Sequence, residues 1–436
     1  MSGTDTYPSQ ELSLDIANSG LVKDTQLSKL TSKLCLLVFL LCVAGILSLS
    51  IGSKSIALET IWLSLTGQIQ NSDSLIIMES RLPRTLVGLL CGAALALSGS
   101  IIQAMTRNPL ADPGIFGVNA GASFSVVIGI AFFGSQQITD HLGFAFVGAM
   151  LTTVFVYIIG VYREVKVNPI KLTLAGVAIS SILASISSGI TLMSPETFDQ
   201  MRFWDIGSLD VRDIELPMMA FWPILVGILS ALFIAPSLDN IAMGEDIAQG
   251  LGTNVRAVQL TALLSITLLC GSATAIAGPI AFVGLMIPHI ARWLAGPRYR
   301  WIALYSIFLG PLLILTADII GRIITTNELR VSIVTAFVGA YLVRQEGLST
   351  LQKAQQKMAN NEVPGKEMME GLMLVIAGVL LVTPGFITDV IGFLFVLPFS
   401  RQLMAGQLAK HMTVRAVQGG NQSFYYSNTQ QRPGNE

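Results

Sequence analysis

Residues 89–101 read Leu-Leu-Cys-Gly-Ala-Ala-Leu-Ala-Leu-Ser-Gly-Ser-Ile, and residues 268–280 read Leu-Leu-Cys-Gly-Ser-Ala-Thr-Ala-Ile-Ala-Gly-Pro-Ile. Eight positions match at a constant separation of 179 residues, and a ninth match, Pro109 with Pro288, keeps that separation. Chance alignment is the alternative, because membrane helices are rich in small and apolar residues. We interpret the pair as one membrane-spanning unit that occurs twice in the chain.

The composition excludes a water-soluble globular protein. Of the 436 residues, 52% are hydrophobic and 12% charged, and the mean hydropathy is +0.66. A membrane-spanning helix needs about 20 apolar residues, and such stretches lie near residues 34–52, 86–105, 114–134, 142–160, 172–193, 216–236, 257–277, 278–295, 301–320 and 331–343, with one more after 371. The sequence therefore predicts an all-α membrane protein with about ten transmembrane helices.

The distribution of basic residues predicts the orientation of the chain. If the N-terminal tail is cytoplasmic, successive crossings place most loop lysines and arginines on the cytoplasmic side, as the positive-inside rule requires. These residues are Lys23, Lys29, Lys33, Arg163, Lys166, Lys171, Arg256, Arg292, Arg298, Arg300, Arg344, Lys353 and Lys357. The first copy of the repeat then runs inward from Leu86 and the second outward from Val258. Inverted repeats of this kind are typical of transporters.

The sequence contains no motif for a disulfide, a metal site or nucleotide binding. The four cysteines, Cys35, Cys42, Cys91 and Cys270, lie in apolar stretches and indicate neither disulfides nor a metal site. No Gly-x-x-x-x-Gly-Lys-Ser/Thr phosphate loop is present, since residues 52–55 are too short for one. The residues therefore predict no catalytic site and no bound cofactor on this chain.

Six arginines remain on the outer side under this orientation. They are Arg81, Arg84, Arg202, Arg212, Arg322 and Arg330. Arginines near helix ends reach toward lipid head groups, which is one interpretation. The other is a basic outer rim for an acidic protein partner, because arginine forms bidentate pairs with carboxylates.

Two polar segments interrupt the apolar pattern. Residues 107–117 carry two prolines, two glycines, an asparagine and an aspartate, which break a helix; they predict either a wall of the transport path or a tight cytoplasmic turn. Residues 236–256 keep a helical rhythm of apolar positions and predict a short amphipathic helix that docks a soluble partner.

Several ordered motifs carry a resemblance over residues 34–340. They are Arg81-Leu-Pro-Arg84, Gly92 to Gly99, Arg107-Asn-Pro-Leu-Ala-Asp-Pro-Gly114, Ala242-Met-Gly-Glu245, Gly250-Leu-Gly252, Gly278 to His289 and Ala317-Asp318 with Arg322. The chain closely resembles the FecCD-type permease subunits of ABC importers for iron-siderophores, haem and vitamin B12.

The resemblance implies the partners and the site residues. It implies a bacterial inner-membrane importer with a second permease chain, two cytoplasmic ATPase subunits that hold ATP and Mg, and a periplasmic or lipid-anchored binding protein. Nucleic acid is not among the expected partners; membrane lipid is. By resemblance, the residues for docking the binding protein are Arg81, Arg84 and Arg322, and those for coupling to the ATPase are Met243, Gly244, Glu245, Gly250, Leu251 and Gly252. The expected path or gate residues are Arg107, Asn108, Pro109, Asn168 and Pro169, although Asn168-Pro169 replaces the serine-threonine pair of the vitamin B12 member.

The C-terminal part departs from that family. Residues 340–347, 355–358 and 371–389 resemble the latter half of FxsA-type membrane proteins. We predict a cytoplasmic tail at 1–33, a transmembrane domain at 34–343, an FxsA-like segment with a kinked helical hairpin at 344–415, and a disordered tail at 416–436.

Two other functions compete with the importer. Asp112 and Asp318 are the acidic residues nearest to apolar surroundings, so an ion-coupled secondary transporter that needs no ATPase is the first. The second is a noncatalytic scaffold dominated by the FxsA-like tail. His289 is interpreted as a structural residue at a helix break.

Overall fold

The structure, a computed structural model, describes residues 8–336 apart from 53, 110, 136–137, 162–168 and 325–329. The chain divides into two units, residues 1–339 and 340–436, and all described residues belong to the first. The FxsA-like segment, its hairpin and the tail predicted at 416–436 therefore lie outside the described residues.

The described part of the chain consists of helices and their connections. The helices are α1 (Pro8–Ser50), α2 (Leu58–Leu65), α3 (Ser72–Ile76), α4 (Leu82–Thr106), α5 (Val118–Phe133), α6 (Ile138–Val161), α7 (Pro169–Met193), α8 (Pro195–Trp204), α9 (Glu215–Met243), α10 (Glu245–Gly250), α11 (Val255–Ala277), α12 (Val283–Ala295) and α13 (Tyr299–Ile324). A π-helical turn, Ile77–Arg81, joins α3 to α4, and a 3₁₀ turn, Pro113–Phe116, precedes α5. Residues 331–336 are also helical. The all-α class is confirmed.

The helices follow the predicted spans closely. Seven of the described helices are long and apolar enough to cross a membrane, namely those within 28–50, 72–106, 140–160, 171–193, 215–243, 255–277 and 299–324. The shorter apolar helices α5 and α12 occupy two further predicted spans. The tenth, predicted at 331–343, is helical in its described portion. Helix α12 begins at Val283 rather than near 278, and α2, α3 and α8 were not predicted.

Helix α4 lies at the centre of the bundle, and its glycines allow neighbouring helices to pack closely against it. A Cβ atom on Gly92 would collide with the backbone of Gly310 and Pro311 in α13, and one on Gly99 with the backbone of Gly284 in α12. Small residues allow this approach where lipid supplies no hydrophobic drive for helix association. Gly92 and Gly99 therefore allow α13 and α12 to pack closely against α4.

The second copy of the repeat has a different backbone. Gly271 packs less tightly, with Ala149 Cβ 3.3 Å from its ideal Cβ position. Gly278 ends α11 with φ of +72°, and a Cβ there would meet the carbonyl oxygen of Trp204. Gly278 thus allows both a close approach to the Trp204 carbonyl and a left-handed bend before Pro279. Helix α4, in contrast, continues past Gly99 to Thr106.

The segment after α4 folds back into the bundle. Arg107 ends α4 with φ of +49°, and the Arg107, Asn108 and Pro109 side chains are exposed there. Further on, Ala111 and residues 113 and 116–117 are buried, and Pro113 packs beside Gly284, close to the middle of α4. Buried protein surroundings make such irregular backbone tolerable. Helix α5 is short because it starts from this returning segment.

Candidate functional site

The three arginines predicted to dock a binding protein lie together in one buried network. Arg84 donates to both carboxylate oxygens of Asp318, with Nη2 to Oδ1 at 2.8 Å and Nε to Oδ2 at 3.2 Å. Arg322, one helical turn after Asp318, donates from Nε to Oδ2 at 2.9 Å and also from Nη2. Asp318 is fully buried, and Arg84 and Arg322 expose 6% and 8% of their surface.

The positive charge left over in this network faces the end of α1. Arg322 Nη1 donates to the carbonyl oxygens of Ser48 and Ile51 at 2.9 and 3.0 Å. Arg81 Nη1 donates to those of Leu49 and Ser50, both at 2.7 Å. The last carbonyls of a helix lack partners within the helix and carry partial negative charge. The two arginines satisfy those carbonyls and fix α1 to α4 and α13.

Hydroxyl groups complete the network. Ser48 Oγ and Thr85 Oγ1 lie 2.8 Å apart, Thr85 donates to the carbonyl of Arg81 at 2.7 Å, and Ser48 Oγ accepts from Arg322 at 3.0 Å. The π-helical turn ends at Arg81 and directs its buried side chain toward the end of α1.

This burial changes the interpretation of the outer arginines. An exposed basic rim does not describe Arg81, Arg84 or Arg322, since their partners in the described part of the chain are internal. Arg202 and Arg212 are exposed instead. A role of the three buried arginines in docking stays a prediction.

Both carboxylates considered for ion coupling accept hydrogen bonds from other groups of the protein. Asp318 accepts hydrogen bonds from two arginines. Arg322 lies one turn further along the same helix, and Arg84 comes from α4. Asp112 accepts from the Gly114 amide at 2.8 Å and begins the 3₁₀ turn. Burial raises the pKa of Asp112, and the Gly114 hydrogen bond acts in the opposite direction.

The predicted coupling segment is an exposed helical corner. Helix α9 ends at Met243, Gly244 turns the chain with φ of +127°, and α10 follows from Glu245 to Gly250. Gly252, with φ of +81°, and Asn254, which caps α11, complete the turn. The helix is shorter than the predicted 236–256 range because glycines interrupt it.

Apolar side chains on this corner are exposed on the surface of the chain. Met243, Ile247 and Leu251 expose 56%, 53% and 59% of their surface, whereas Ile241 and Ala248 are buried. The buried Ile241 and Ala248 form the inward apolar face expected of an amphipathic helix. The exposed Met243, Ile247 and Leu251 form a second apolar face on the surface. Exposed apolar patches of this kind mark interaction sites.

Polar contacts hold the corner in place. Asn240 Nδ2 donates to Thr253 Oγ1 at 2.8 Å, and Gln259 Nε2 donates to Glu245 Oε1 at 3.2 Å. A cavity of about 340 Å³ lies beside them, lined by residues that include Gln249. The corner is thus a shaped surface braced from α9 and α11.

A second cavity, of about 560 Å³, lies where α5, α7 and the end of α8 meet. Asn119 and Ser123 of α5, Ser187 and Ser188 of α7, and Asp205 line its polar side. Sequence analysis missed it because these residues come from three separate segments, none of which carries a motif.

The predicted gate residues are only partly described. Asn168 lies outside the described residues, and Pro169 is the first residue of α7. Arg107, Asn108 and Pro109 are exposed at the end of α4 and do not meet the docking network or the coupling corner in any described contact. Their role in a transport path stays a prediction. His289 packs edge-on against Trp293, with 4.6 Å between ring centroids.

Comparison with known proteins assigns the arrangement to a family. The FecCD transport family matches residues 40–343. The chain belongs to the FecCD transport family. The FxsA cytoplasmic membrane protein family matches residues 303–411, so that match begins within α13, earlier than the resemblance predicted from sequence.

Individual relatives in the FecCD family cover nearly the same region. The ferric enterobactin transport system permease protein FepD of Escherichia coli is 47% identical over 71% of this chain and 94% of its own length. The siderophore transport system permease protein YfiZ of Bacillus subtilis is 38% identical over 70% and 91%. The solved structure of a metal-chelate type ABC transporter in an inward-facing conformation matches with a TM-score of 0.63 and 28% identity, over 73% of this chain and 97% of that chain.

Proposed function

We propose that this chain is the transmembrane permease subunit of an ATP-driven importer that carries a ferric siderophore or a related chelate across the bacterial inner membrane. Its relatives in the FecCD family are permeases named for ferric enterobactin, iron(3+)-hydroxamate and Fe(3+)-citrate. Transport proceeds by alternating access, and specificity rests chiefly with a separate binding protein outside.

The coupling corner is the observation that carries the proposal. Met243, Ile247 and Leu251 place three apolar side chains on a braced, solvent-facing turn. A soluble ATPase that grips this corner transmits its motion to α9 and α11, which the turn connects. ATP and Mg belong to that ATPase, two copies of which serve the assembly, and the N-terminus lies on the same cytoplasmic side.

A second permease chain, either identical or homologous, completes the transport path. Helix α7 supports this, because much of its surface in the described structure is exposed and carries small residues, including Ser181, Ser185 and Gly189 at intervals of four. Small residues at this spacing permit close helix contact within a membrane.

A substitution on the corner tests the proposal. Ile247→Asp should abolish co-purification of the ATPase and ATP-dependent chelate uptake, because a carboxylate replaces the apolar contact without disturbing the buried side of α10. Ile247→Leu is the matched control and should keep both. Normal uptake by the Ile247→Asp complex would refute docking at this corner.

An ion-coupled secondary transporter is the rival function, and the Asp318 network speaks against it. A carboxylate held by two arginines has no oxygen site open for a transported cation. Depleting cellular ATP while the membrane potential is maintained should stop uptake. Uptake that continues under that condition, and stops with an uncoupler, would establish the rival.

A further inference from the structure

The cavity between α5, α7 and the end of α8 has the chemistry of a binding site. Its volume of about 560 Å³ lies within the usual range of small-molecule pockets, roughly 300–1,000 Å³. Val127 and Phe198 supply apolar walls, and hydroxyl, amide and carboxylate groups supply the polar side. Such a mixture holds organic molecules that have both apolar and polar surface.

One polar atom of this cavity lacks a partner. Ser187 exposes 8% of its surface, and its Oγ makes no hydrogen bond in the described part of the chain. Buried hydroxyl groups are nearly always hydrogen-bonded, because an unsatisfied one costs about 1–3 kcal/mol. An unpartnered hydroxyl in the wall of a cavity is free to bond to a molecule that enters the cavity.

The other polar groups are held in fixed positions by bonds within the protein. Asn119 Oδ1 accepts from Thr274 Oγ1 at 2.9 Å, and Ser123 Oγ donates to Asp205 Oδ1 at 3.0 Å. Thr191 Oγ1 donates to the carbonyl of Ser187 at 2.7 Å. These bonds orient the polar side before a ligand arrives, which lowers the entropy cost of binding.

The charges of the cavity decide which ligand group it accepts. Its lining contains a carboxylate, Asp205, and no lysine, arginine or histidine. Asp205 stays solvent-accessible, yet the cavity wall removes enough water to raise the pKa of its carboxyl, with the Ser123 hydrogen bond acting in the opposite direction. A carboxylate with no cation beside it in the lining suits hydrogen-bond donors such as amide N–H and disfavours phosphate or free carboxylate, while the hydroxyl groups can donate or accept.

We infer that this cavity is a cargo subsite, which binds the amide-bearing organic frame of a ferric chelate rather than its charged iron core. The inference rests on the proposed importer function, since the cavity borders exposed positions of α7 such as Ala184 and Ser188. The chelate contacts this site on its way through the membrane. Asp205 and Ser187 are the residues that favour chelates carrying N–H donors.

Thiol protection tests the subsite without needing ATP hydrolysis. In the assembled complex with exposed Cys35 and Cys42 replaced by alanine, Ser188→Cys places a thiol in the cavity wall. Ferric enterobactin or ferrichrome, which carry amide N–H groups, should slow its reaction with a maleimide by about tenfold at ten times the dissociation constant. Ferric citrate, which has no amide, should have little effect.

Ser72→Cys is the matched control, since it lies exposed at the start of α3, outside the cavity and away from the surface of α7, and its labelling should not change. Labelling of Ser188→Cys that no chelate slows, or that ferric citrate slows equally, would overturn the subsite. The proposed importer function is tested separately. If chelates protect Ser188→Cys but the complex shows no ATP-dependent uptake, the importer function is refuted while the binding site stands.

A second variant tests the donor preference. Asp205→Asn keeps one acceptor oxygen but removes the charge, so the concentration of an amide-bearing chelate that half-protects Ser188→Cys from the maleimide should rise by about tenfold, as for one hydrogen bond to a charged group. A half-protecting concentration that is unchanged or lower would contradict the assigned role of Asp205.

Discussion

Asp318 is the shared counter-charge of the buried arginine network. It pairs with Arg84 of α4 and Arg322 of α13, and the remaining donors of Arg322 hold the end of α1. Removing one partner of a buried ion pair leaves an uncompensated buried charge, and here it would leave two.

The first prediction compares a buried with an exposed ion pair. Asp318→Asn should destabilise the protein by about 3–5 kcal/mol, because two buried arginines lose their counter-charge. Asp73→Asn is the control: it breaks the exposed Lys54–Asp73 pair, 2.5 Å apart, and should cost less than about 1 kcal/mol. Thermal unfolding of the detergent-solubilised protein measures both. Equal melting temperatures for the two variants would show that the network does not stabilise the fold.

The arginines also show the limit of prediction from sequence alone. The spacing of Asp318 and Arg322, one helical turn apart, predicted a nearby arginine. Arg84 is 234 residues away, and nothing local in the sequence announces that its guanidinium faces inward. A buried arginine and an exposed one have the same sequence signature at a helix end, so sequence alone could not show that Arg81, Arg84 and Arg322 are buried while Arg202 and Arg212 are exposed.

At the scale of single helices, the packing depends on where one helix crosses another. Apolar length predicted the helix positions well, because each span must match the membrane thickness. It could not predict that Gly278 bends the chain while its repeat partner Gly99 remains inside a helix. That difference is consistent with Pro279, which removes a backbone donor near the end of the second copy, where the first copy has Ser100.

The second prediction concerns the crossing of α4 and α12. Gly99→Ala should destabilise the protein by about 1–3 kcal/mol or more, since its methyl group would overlap the Gly284 backbone. Gly45→Ala in α1 has nothing within 4 Å of the added atom and should be neutral or stabilising by up to about 1 kcal/mol. Melting temperatures compare them. A neutral Gly99→Ala would mean that the two helices do not cross at this glycine.

The third prediction concerns the turn into the coupling corner. Gly244 has φ of +127°, a conformation that L side chains rarely adopt, so Gly244→Ala should distort the corner and reduce chelate-stimulated ATP hydrolysis severalfold. Gly143→Ala, in helix α6 away from the corner and with nothing within 4 Å of the added atom, should leave the rate near that of the native chain. Equal ATPase rates for both variants would show that the backbone geometry at 244 is unimportant for coupling.

At the scale of the whole molecule, the FecCD match and the first structural unit nearly coincide. The match ends at residue 343 and the unit at Gly339. The family explains the helices of this unit without help from the FxsA-like segment. The cavity lined by Asn119, Ser187 and Asp205 escaped sequence analysis because a site built from separate segments has no motif.

The fourth prediction follows from that division. Deleting residues 345–436 should leave ATP-dependent chelate uptake at a rate comparable to that of the full chain, because the coupling corner and the buried network both lie in the first unit. Uptake by cells that express each form at equal membrane levels measures this. Loss of uptake on deletion, together with normal uptake by the Ile247→Asp variant, would favour the scaffold function instead.

Reconstitution into vesicles tests the central claim most directly. Vesicles that contain this chain, its partner permease chain if one exists, internal ATP and external binding protein with ferric chelate are prepared with and without the ATPase. The account predicts accumulation against a gradient only when the ATPase is present. Accumulation of the chelate against its gradient in vesicles that lack the ATPase would contradict it.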